Sequence, residues 1–459
     1  MRTEIIERLL KVVGRDGVLS TPEDLAAYSF DATFAEGTPG AVVLPRNTQE
    51  VSQVVRAAAD ARMPIVPRGM GTGLAAGSVS IPQGSLVLCL TRMARVLEID
   101  EANATAHVEA GVVTSDLQAE VEGRGLFYPP DPSSNRHSTL GGNIACNAGG
   151  PRCLKYGVTG DYVLGLTVVL ADGRILRTGG KAIKDVTGLD LNALFTGSEG
   201  TLGVITEALL RLVPRPRFTR TALAGFDTLD AASQSVTAIL GAGIVPATLE
   251  LMDQTAIRCV EEAVHLGLAT DLEALLILEA DGTDEGAVLR EIEAAADICR
   301  RHAARSVRLA GSEAERKGLW EARRAVSPSL ARQAPNKLGE DITVPRSAIP
   351  EVVRRLRAIS ERHGLPIVIF GHAGDGNLHP NILFDRRQPE QKAAAERMVG
   401  EVFAASLALG GTLSGEHGVG LLKRPYLEQA LGPVSVDIQR RIKHALDPEN
   451  LLNPGKLFV

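Results

Sequence analysis

The chain has 459 residues, 44% hydrophobic and 23% charged, with a net charge of −6. That is the make-up of a globular protein long enough for two or three domains, and its slight acid excess gives no general attraction to nucleic acid or to an anionic membrane. The five cysteines contain no Cys-x-x-Cys pair, so neither an iron–sulfur cluster nor a four-cysteine zinc site is supported, and an odd count without a framework suits a reducing compartment. No apolar run approaches the length of a membrane span. The N-terminus, with acids among its apolar positions, reads as an amphipathic helix and not as a signal peptide, so the expected location is the cytoplasm.

A helix is predicted over residues 4–13, stopping at Gly14, and a second short one after the Thr21-Pro22-Glu23-Asp24 start signal. Ala41–Leu44 reads as a buried strand. Asn47-Thr48-Gln49-Glu50 resembles a capping box opening a helix with Val51, Val54, Val55 and Ala58 on one face. Pro64–Val66 is the next strand, which makes a β–α–β unit. That strand feeds a glycine-rich stretch holding Pro67, Arg68, Gly69, Gly71, Thr72, Gly73, Gly77 and Ser78. Glycines let backbone N–H groups come close to an anion; a plain surface turn is the alternative. The spacing is neither Gly-x-Gly-x-x-Gly nor a P-loop, so an ATPase reading fails.

Leu97–Asp100 and Thr105–Glu109 form a predicted hairpin, followed by a helix near Ser115–Glu122. A second small-residue concentration carries Pro130, Asp131, Ser133, Ser134, Thr139, Gly141, Gly142, Asn143, Ala145, Asn147 and Gly149. A third follows the strand Val163–Leu170 and carries Glu199, Gly200, Gly203, Val204 and Ile205. Three such loops in one mixed α/β region suggest a long dinucleotide touched at several points, flavin or nicotinamide alike.

Pro214-Arg215-Pro216-Arg217 marks a boundary. Beyond it, strands and helices alternate as in an α+β domain: helices at 228–241, 254–266, 284–302, 352–362 and 398–409, with strands at 247–252, 275–279 and 307–309. The segment around Trp320–Arg324 is predicted helical. The strand Ile367–Phe370 delivers Gly371-His372-Ala373-Gly374-Asp375-Gly376-Asn377-Leu378-His379. Along one continuous strand His372 and His379 would face opposite ways, whereas a tight glycine turn brings both imidazoles to one point. With Glu416 they make a two-histidine, one-carboxylate set suited to zinc or another divalent metal, which leaves His417 as a base. Ordinary turn chemistry is the competing account. Residues 446–456 are too punctuated for a helix.

In this order the motifs resemble the FAD-linked 2-hydroxy acid dehydrogenases of the vanillyl-alcohol oxidase fold group, which include D-lactate dehydrogenases, the flavin subunit of glycolate oxidase and D-2-hydroxyglutarate dehydrogenase. The resemblance runs from Val43-Leu44-Pro45 to Asn453-Pro454-Gly455-Lys456. It implies an α+β fold: a two-subdomain FAD-binding domain (1–213), an α+β cap domain with an antiparallel sheet (214–412) and a C-terminal segment (413–459) packing back on the FAD domain. The Arg68–Ser78 loop would hold the FAD pyrophosphate, Pro130–Gly150 would line the flavin ring, Glu199–Ile205 would support the adenosine side, and Asn453 would be a further cofactor contact. No histidine lies in the first loop, so non-covalent FAD is expected, with His137 a remote alternative. The resemblance further makes His372, His379 and Glu416 metal ligands (zinc, with manganese or iron as alternatives) and His417 the base. Arg323 becomes the grip on the substrate carboxylate, with Ser327, Lys337 and Asn377 nearby. It implies D-lactate or glycolate as substrate, D-2-hydroxyglutarate as the alternative, and an electron-acceptor partner: an iron–sulfur subunit, an electron-transfer flavoprotein or a quinone. Membrane association would be peripheral, through that partner, and a homodimer stays open. A flavin enzyme of the alkylglycerone-phosphate synthase type and a non-catalytic FAD-binding subunit are the rival readings.

Overall fold

The computed structural model describes residues 2–458. It divides into two compact units, one formed by the chain up to Gly149, by Val158–Pro214 and from Glu416 on, the other by Gly150–Gly157 and Arg215–Gly415.

The first unit contains a four-stranded sheet ordered Val18–Leu19, Ala41–Val43, Leu86–Cys89, Ile65–Arg68, parallel in its last three strands. Leu86–Cys89 lies between the two strands expected to be neighbours in the β–α–β unit. Its four residues are all buried, so no alternation marked it as a strand. The intervening helix, Thr48–Asp60, starts where the capping box places it: Asn47 accepts from Glu50 N, and the Glu50 carboxylate accepts from Arg46 N. The 97–109 hairpin forms, but in a separate five-stranded antiparallel sheet completed by Val204–Arg211, Val163–Val169 and Ile175–Gly179. From the far end of the chain, Leu451 O accepts from Ile65 N and Asn453 N donates to Ile65 O, laying the C-terminal segment along that strand.

One segment differs from the sequence reading. Leu140–Cys146, expected as a glycine loop, is a short helix capped by Thr139 and closed by Asn147 in the left-handed region at φ 52°. Glycine is a poor helix former, but a Cβ at Gly141 would lie 2.6 Å from Ala110 Cβ. Tertiary packing, not propensity, sets this helix.

The second unit is an eight-stranded antiparallel sheet. Its central path runs Phe218–Phe226, Ala274–Gly282, Thr248–Asp253, Ile367–His372, Asn377–Phe384. The helix Glu313–Ser329 buries Leu319, Ala322 and Val326. Ala322 and Val326 pack with Met252, Ile257, Val260, Val368 and Phe370. This apolar face presses the Arg323 turn of the helix toward the strands that carry the histidines. Among the described residues no helix is long and apolar enough to cross a membrane, and no disulfide joins the five cysteines.

Candidate functional site

In the first unit the three small-residue stretches converge. Asn453 donates its amide to both Gly77 O (2.9 Å) and Glu199 O (2.8 Å). Glu199 N donates to Ala145 O at 2.8 Å, and a Cβ at Gly69 would sit 2.3 Å from Thr139 Oγ1. Gly69 thus lies tight against that hydroxyl, and Gly71 takes φ 71°, a backbone region that favours glycine. Glu199 is buried, and desolvation pushes its pKa up although Val419 N and Gly420 N, both at 2.7 Å, favour its charged form. Asn147 accepts from Gly160 N at 2.8 Å, Asn143 donates to Thr114 Oγ1 at 2.7 Å and Pro130 O accepts from Gln118 Nε2 at 2.9 Å, so several candidate residues of the second stretch shape the backbone through neighbours. Asp131 accepts from Asn135 at 2.6 Å. His137 is exposed.

This surface fits a phosphate- and hydroxyl-rich cofactor. Arg68 Nη1, Ser78 Oγ, Thr196 Oγ1 and Ser198 Oγ are buried and have no hydrogen-bond partner in the protein. Such groups cost about 1–3 kcal/mol each when left unsatisfied, and they sit on two of the three stretches singled out for a dinucleotide. Thr196 and Ser198 belong to the third stretch read from the sequence, though not to its cofactor-binding candidates.

The second unit builds its candidate site from side chains. The expected hairpin is present: Ile367–His372 pairs with Asn377–Phe384, with Phe370 opposite His379 and His372 opposite Asn377. Gly376, at φ 84°, makes the turn where a Cβ would lie 2.0 Å from Val344 O. The His372 and His379 rings meet edge to face, centroids 5.2 Å apart, both buried. Arg323 stands beside them, its Cζ 4.8 Å from the centroid of Phe370, whose ring is 5.6 Å from that of His379. Ser327, one turn further along the helix, accepts from Lys337 Nζ at 2.5 Å, so these two candidate residues are paired. Burial lowers the Lys337 pKa.

Two buried acids that the sequence reading passed over organise this cluster. Glu250 Oε1 lies 2.5 Å from His372 Nδ1, and Glu250 Oε2 accepts from Arg323 Nε at 2.6 Å. Desolvation opposes the charge of Glu250, but His372 and Arg323 hold its pKa below the usual value. Arg323 is therefore in a buried ion pair, not a surface one. Asp341 accepts from Asn377 Nδ2 (2.6 Å), Ser414 Oγ (2.7 Å) and Gly415 N (2.9 Å), and its Oδ1 is 4.0 Å from His379 Nδ1. The Asn377 amide also donates to Ile342 O at 3.1 Å, which gives that side chain a bracing role. The only sequence signal for Glu250 was a lone acid inside the apolar run Thr248–Met252, and for Asp341 an acid pair between Gly339 and Ile342.

Glu416 follows Gly415 directly in the chain, and His417 Nε2 is 3.9 Å from Glu416 Oε1. Within the second unit Gly415 N donates to Asp341, and within the first unit Val419 N and Gly420 N donate to Glu199. The histidine pair fits a divalent metal on its donor chemistry: a carboxylate on Nδ1 of His372 turns the other ring nitrogen into the ligand, the usual arrangement of metal-bound histidine.

One unit of parallel and antiparallel sheets with a converging small-residue surface, and a second built on one large antiparallel sheet, are the parts of vanillyl-alcohol-oxidase-type flavoproteins. The solved structures agree: p-cresol methylhydroxylase matches with a TM-score of 0.85 over 100% of this chain and 96% of that one, at 17% identity, and the 4-ethylphenol oxidase of Gulosibacter chungangensis with 0.80, over 100% and 97%, at 22% identity. Residues 39–179 match the FAD binding domain family and residues 215–457 the C-terminal domain of FAD linked oxidases. The chain is 47% identical over 457 residues to the glycolate oxidase subunit GlcD of Bacillus subtilis, covering 99% of this chain and 97% of the relative. It is 33% identical over 463 residues to a D-lactate dehydrogenase of Anaerostipes hadrus, covering 99% and 97%. The chain belongs to the FAD-linked oxidase family and is an FAD-linked oxidoreductase.

Proposed function

We propose that this chain oxidises a small 2-hydroxy acid, glycolate or D-lactate, to the 2-oxo acid. The observation that carries the reading is the juxtaposition of the imidazole pair His372/His379 with the Arg323 guanidinium across the Phe370 ring. A 2-hydroxy acid carries a carboxylate next to its reacting hydroxyl, so it needs a cation for the one and an acidifying group for the other side by side. Relatives named as a glycolate oxidase subunit and as D-lactate dehydrogenases support the same substrates.

Bound FAD, held non-covalently by the Arg68–Ser78, Pro130–Gly149 and Glu199–Ile205 stretches, supplies the hydride acceptor. His372, His379 and Glu416 would hold a divalent metal, zinc or else manganese or iron, whose contribution is to lower the pKa of the substrate hydroxyl. Arg323 receives the carboxylate as a bidentate pair and so fixes which face of the carbon meets the flavin. The paired Ser327 and Lys337 are further candidate contacts for the acid, and Asn377, braced on Asp341, supports the hairpin turn. His417 takes the hydroxyl proton. The short tether of Glu416 to the Asp341-bound Gly415 supports their place in this set. D-2-hydroxyglutarate is the second reading. Electrons pass to a partner: an iron–sulfur subunit, an electron-transfer flavoprotein or a quinone. We place this activity in the cytoplasm.

The test is anaerobic flavin bleaching with glycolate, D-lactate, L-lactate and D-2-hydroxyglutarate, before and after EDTA. Bleaching by glycolate or D-lactate, abolished by EDTA and restored by zinc or manganese, is expected. In His417→Asn the rate should fall about 10²–10⁴-fold with the flavin retained. A yellow protein that none of these acids reduces would instead support a non-catalytic FAD-binding subunit.

A further inference from the structure

We infer that Glu250 is a positioning residue for both halves of the substrate site, because one buried carboxylate fixes the nitrogen that His372 presents to a metal and the edge that Arg323 presents to the substrate. The inference rests on the proposed function and deepens it.

The geometry is specific. Glu250 lies directly opposite His372 in the ladder between Thr248–Asp253 and Ile367–His372, so the backbone register sets their approach. Its two oxygens are divided between two partners: Oε1 to His372 Nδ1, Oε2 to Arg323 Nε. The residue is fully buried. An ionised carboxylate only accepts hydrogen bonds, so its bond to His372 places a hydrogen on Nδ1, and in the neutral ring that a metal would take the lone pair is then on Nε2. On the other side, binding Arg323 through Nε alone, with the Phe370 ring against the guanidinium plane, directs the Nη1–Nη2 edge to an incoming carboxylate. That edge is one of those able to make two parallel bonds. The two roles run through a single group, so they fail together when it is altered.

Glu250→Gln separates this role from simple packing. Glutamine has nearly the same shape, but one of its two polar ends is a donor, which must face either His372 Nδ1–H or Arg323 Nε–H. Manganese affinity of the flavin-loaded protein, measured by competition with a coloured chelator and without substrate, should fall roughly 10–100-fold, the usual loss when the outer partner of a metal-bound histidine is removed. The KM for the acid that bleaches the wild-type flavin should rise roughly 10-fold or more. Glu250→Asp keeps the charge but shortens the reach; it should lose part of both and serves as the decisive variant if the glutamine form does not fold. Manganese affinity and KM both within twofold of wild type would overturn the inference, and so would a lower melting temperature with those two quantities unmoved. A wild-type protein that binds no manganese or zinc overturns the metal reading beneath it, and the inference with it, before any variant is made.

Discussion

On the flavin side of this molecule the candidate surface is made largely of backbone. Gly69 lies tight against Thr139, Gly71 takes φ 71°, and Asn453 stitches Gly77 O to Glu199 O. On the side proposed for the acid it is made of side chains: His372, His379 and Arg323, set by Glu250 and Asp341 from other strands and loops. A backbone surface of this kind tolerates little added volume, and its polar side chains, Arg68, Ser78, Thr196 and Ser198, are suited to binding, not to reacting. A side-chain cluster is the reverse. Single substitutions should therefore separate binding of the flavin from turnover in opposite directions.

The largest effect expected on the side-chain half is from His379→Ala. Removing a ligand should cost more than the 10–100-fold that follows loss of an outer partner, so flavin reduction by glycolate or D-lactate should slow by more than about 100-fold. The protein should stay yellow after gel filtration. If the flavin were lost together with the rate, the contrast between the halves would be wrong.

On the backbone half, Gly141→Ala should do the opposite. Its Cβ would lie 2.6 Å from Ala110 Cβ and 3.0 Å from Ala110 O, and overpacking of this kind costs about 1–3 kcal/mol. The flavin should dissociate on gel filtration, and the residual flavin-bound fraction should turn over at close to the wild-type rate. Full retention of FAD would show that the Leu140–Cys146 helix can shift without disturbing the cofactor surface.

This contrast also explains what was legible in the sequence. Glycine stretches at 67–78 and 139–150 are visible because only small residues allow such approach, and the family pattern adds the order in which they come. The hairpin could be read because His372 and His379 flank a glycine turn and a parity argument forbids a continuous strand. Glu250 and Asp341 could not, because their partners lie 122 and 36 positions away and Thr248–Asp253 is buried at every position, which erases the alternation that would mark an inward-facing acid. The helix at Leu140–Cys146 was hidden for a related reason: its propensity is poor, and the contact with Ala110 that demands glycine there is a tertiary fact.

The last effect is confined to alkaline pH and concerns a charge buried in the backbone half. Lys456 donates to Val79 O at 2.6 Å, and desolvation pulls its pKa down to about 8 although Asp31 and Glu199 favour the charged form. In the unfolded chain a lysine titrates near 10.4. Between those values the unfolded state binds a proton that the folded state has released, so stability rises with pH across that window. The cost of the buried charge is present in full below about pH 8 and is relieved as pH climbs toward 10.4, at a slope no steeper than about 1.4 kcal/mol per pH unit. Lys456→Met removes the group, so the unfolding free energy of wild type minus variant, measured on the flavin-free protein from pH 7 to 10, should increase only in the upper part of that range. A flat difference would mean that Lys456 keeps an ordinary pKa. The ammonium would then be adequately solvated by Val79 O and Asn453 Oδ1 together with the two acids, and the flavin-side unit would carry its charges as comfortably as Glu250 carries its own between His372 and Arg323.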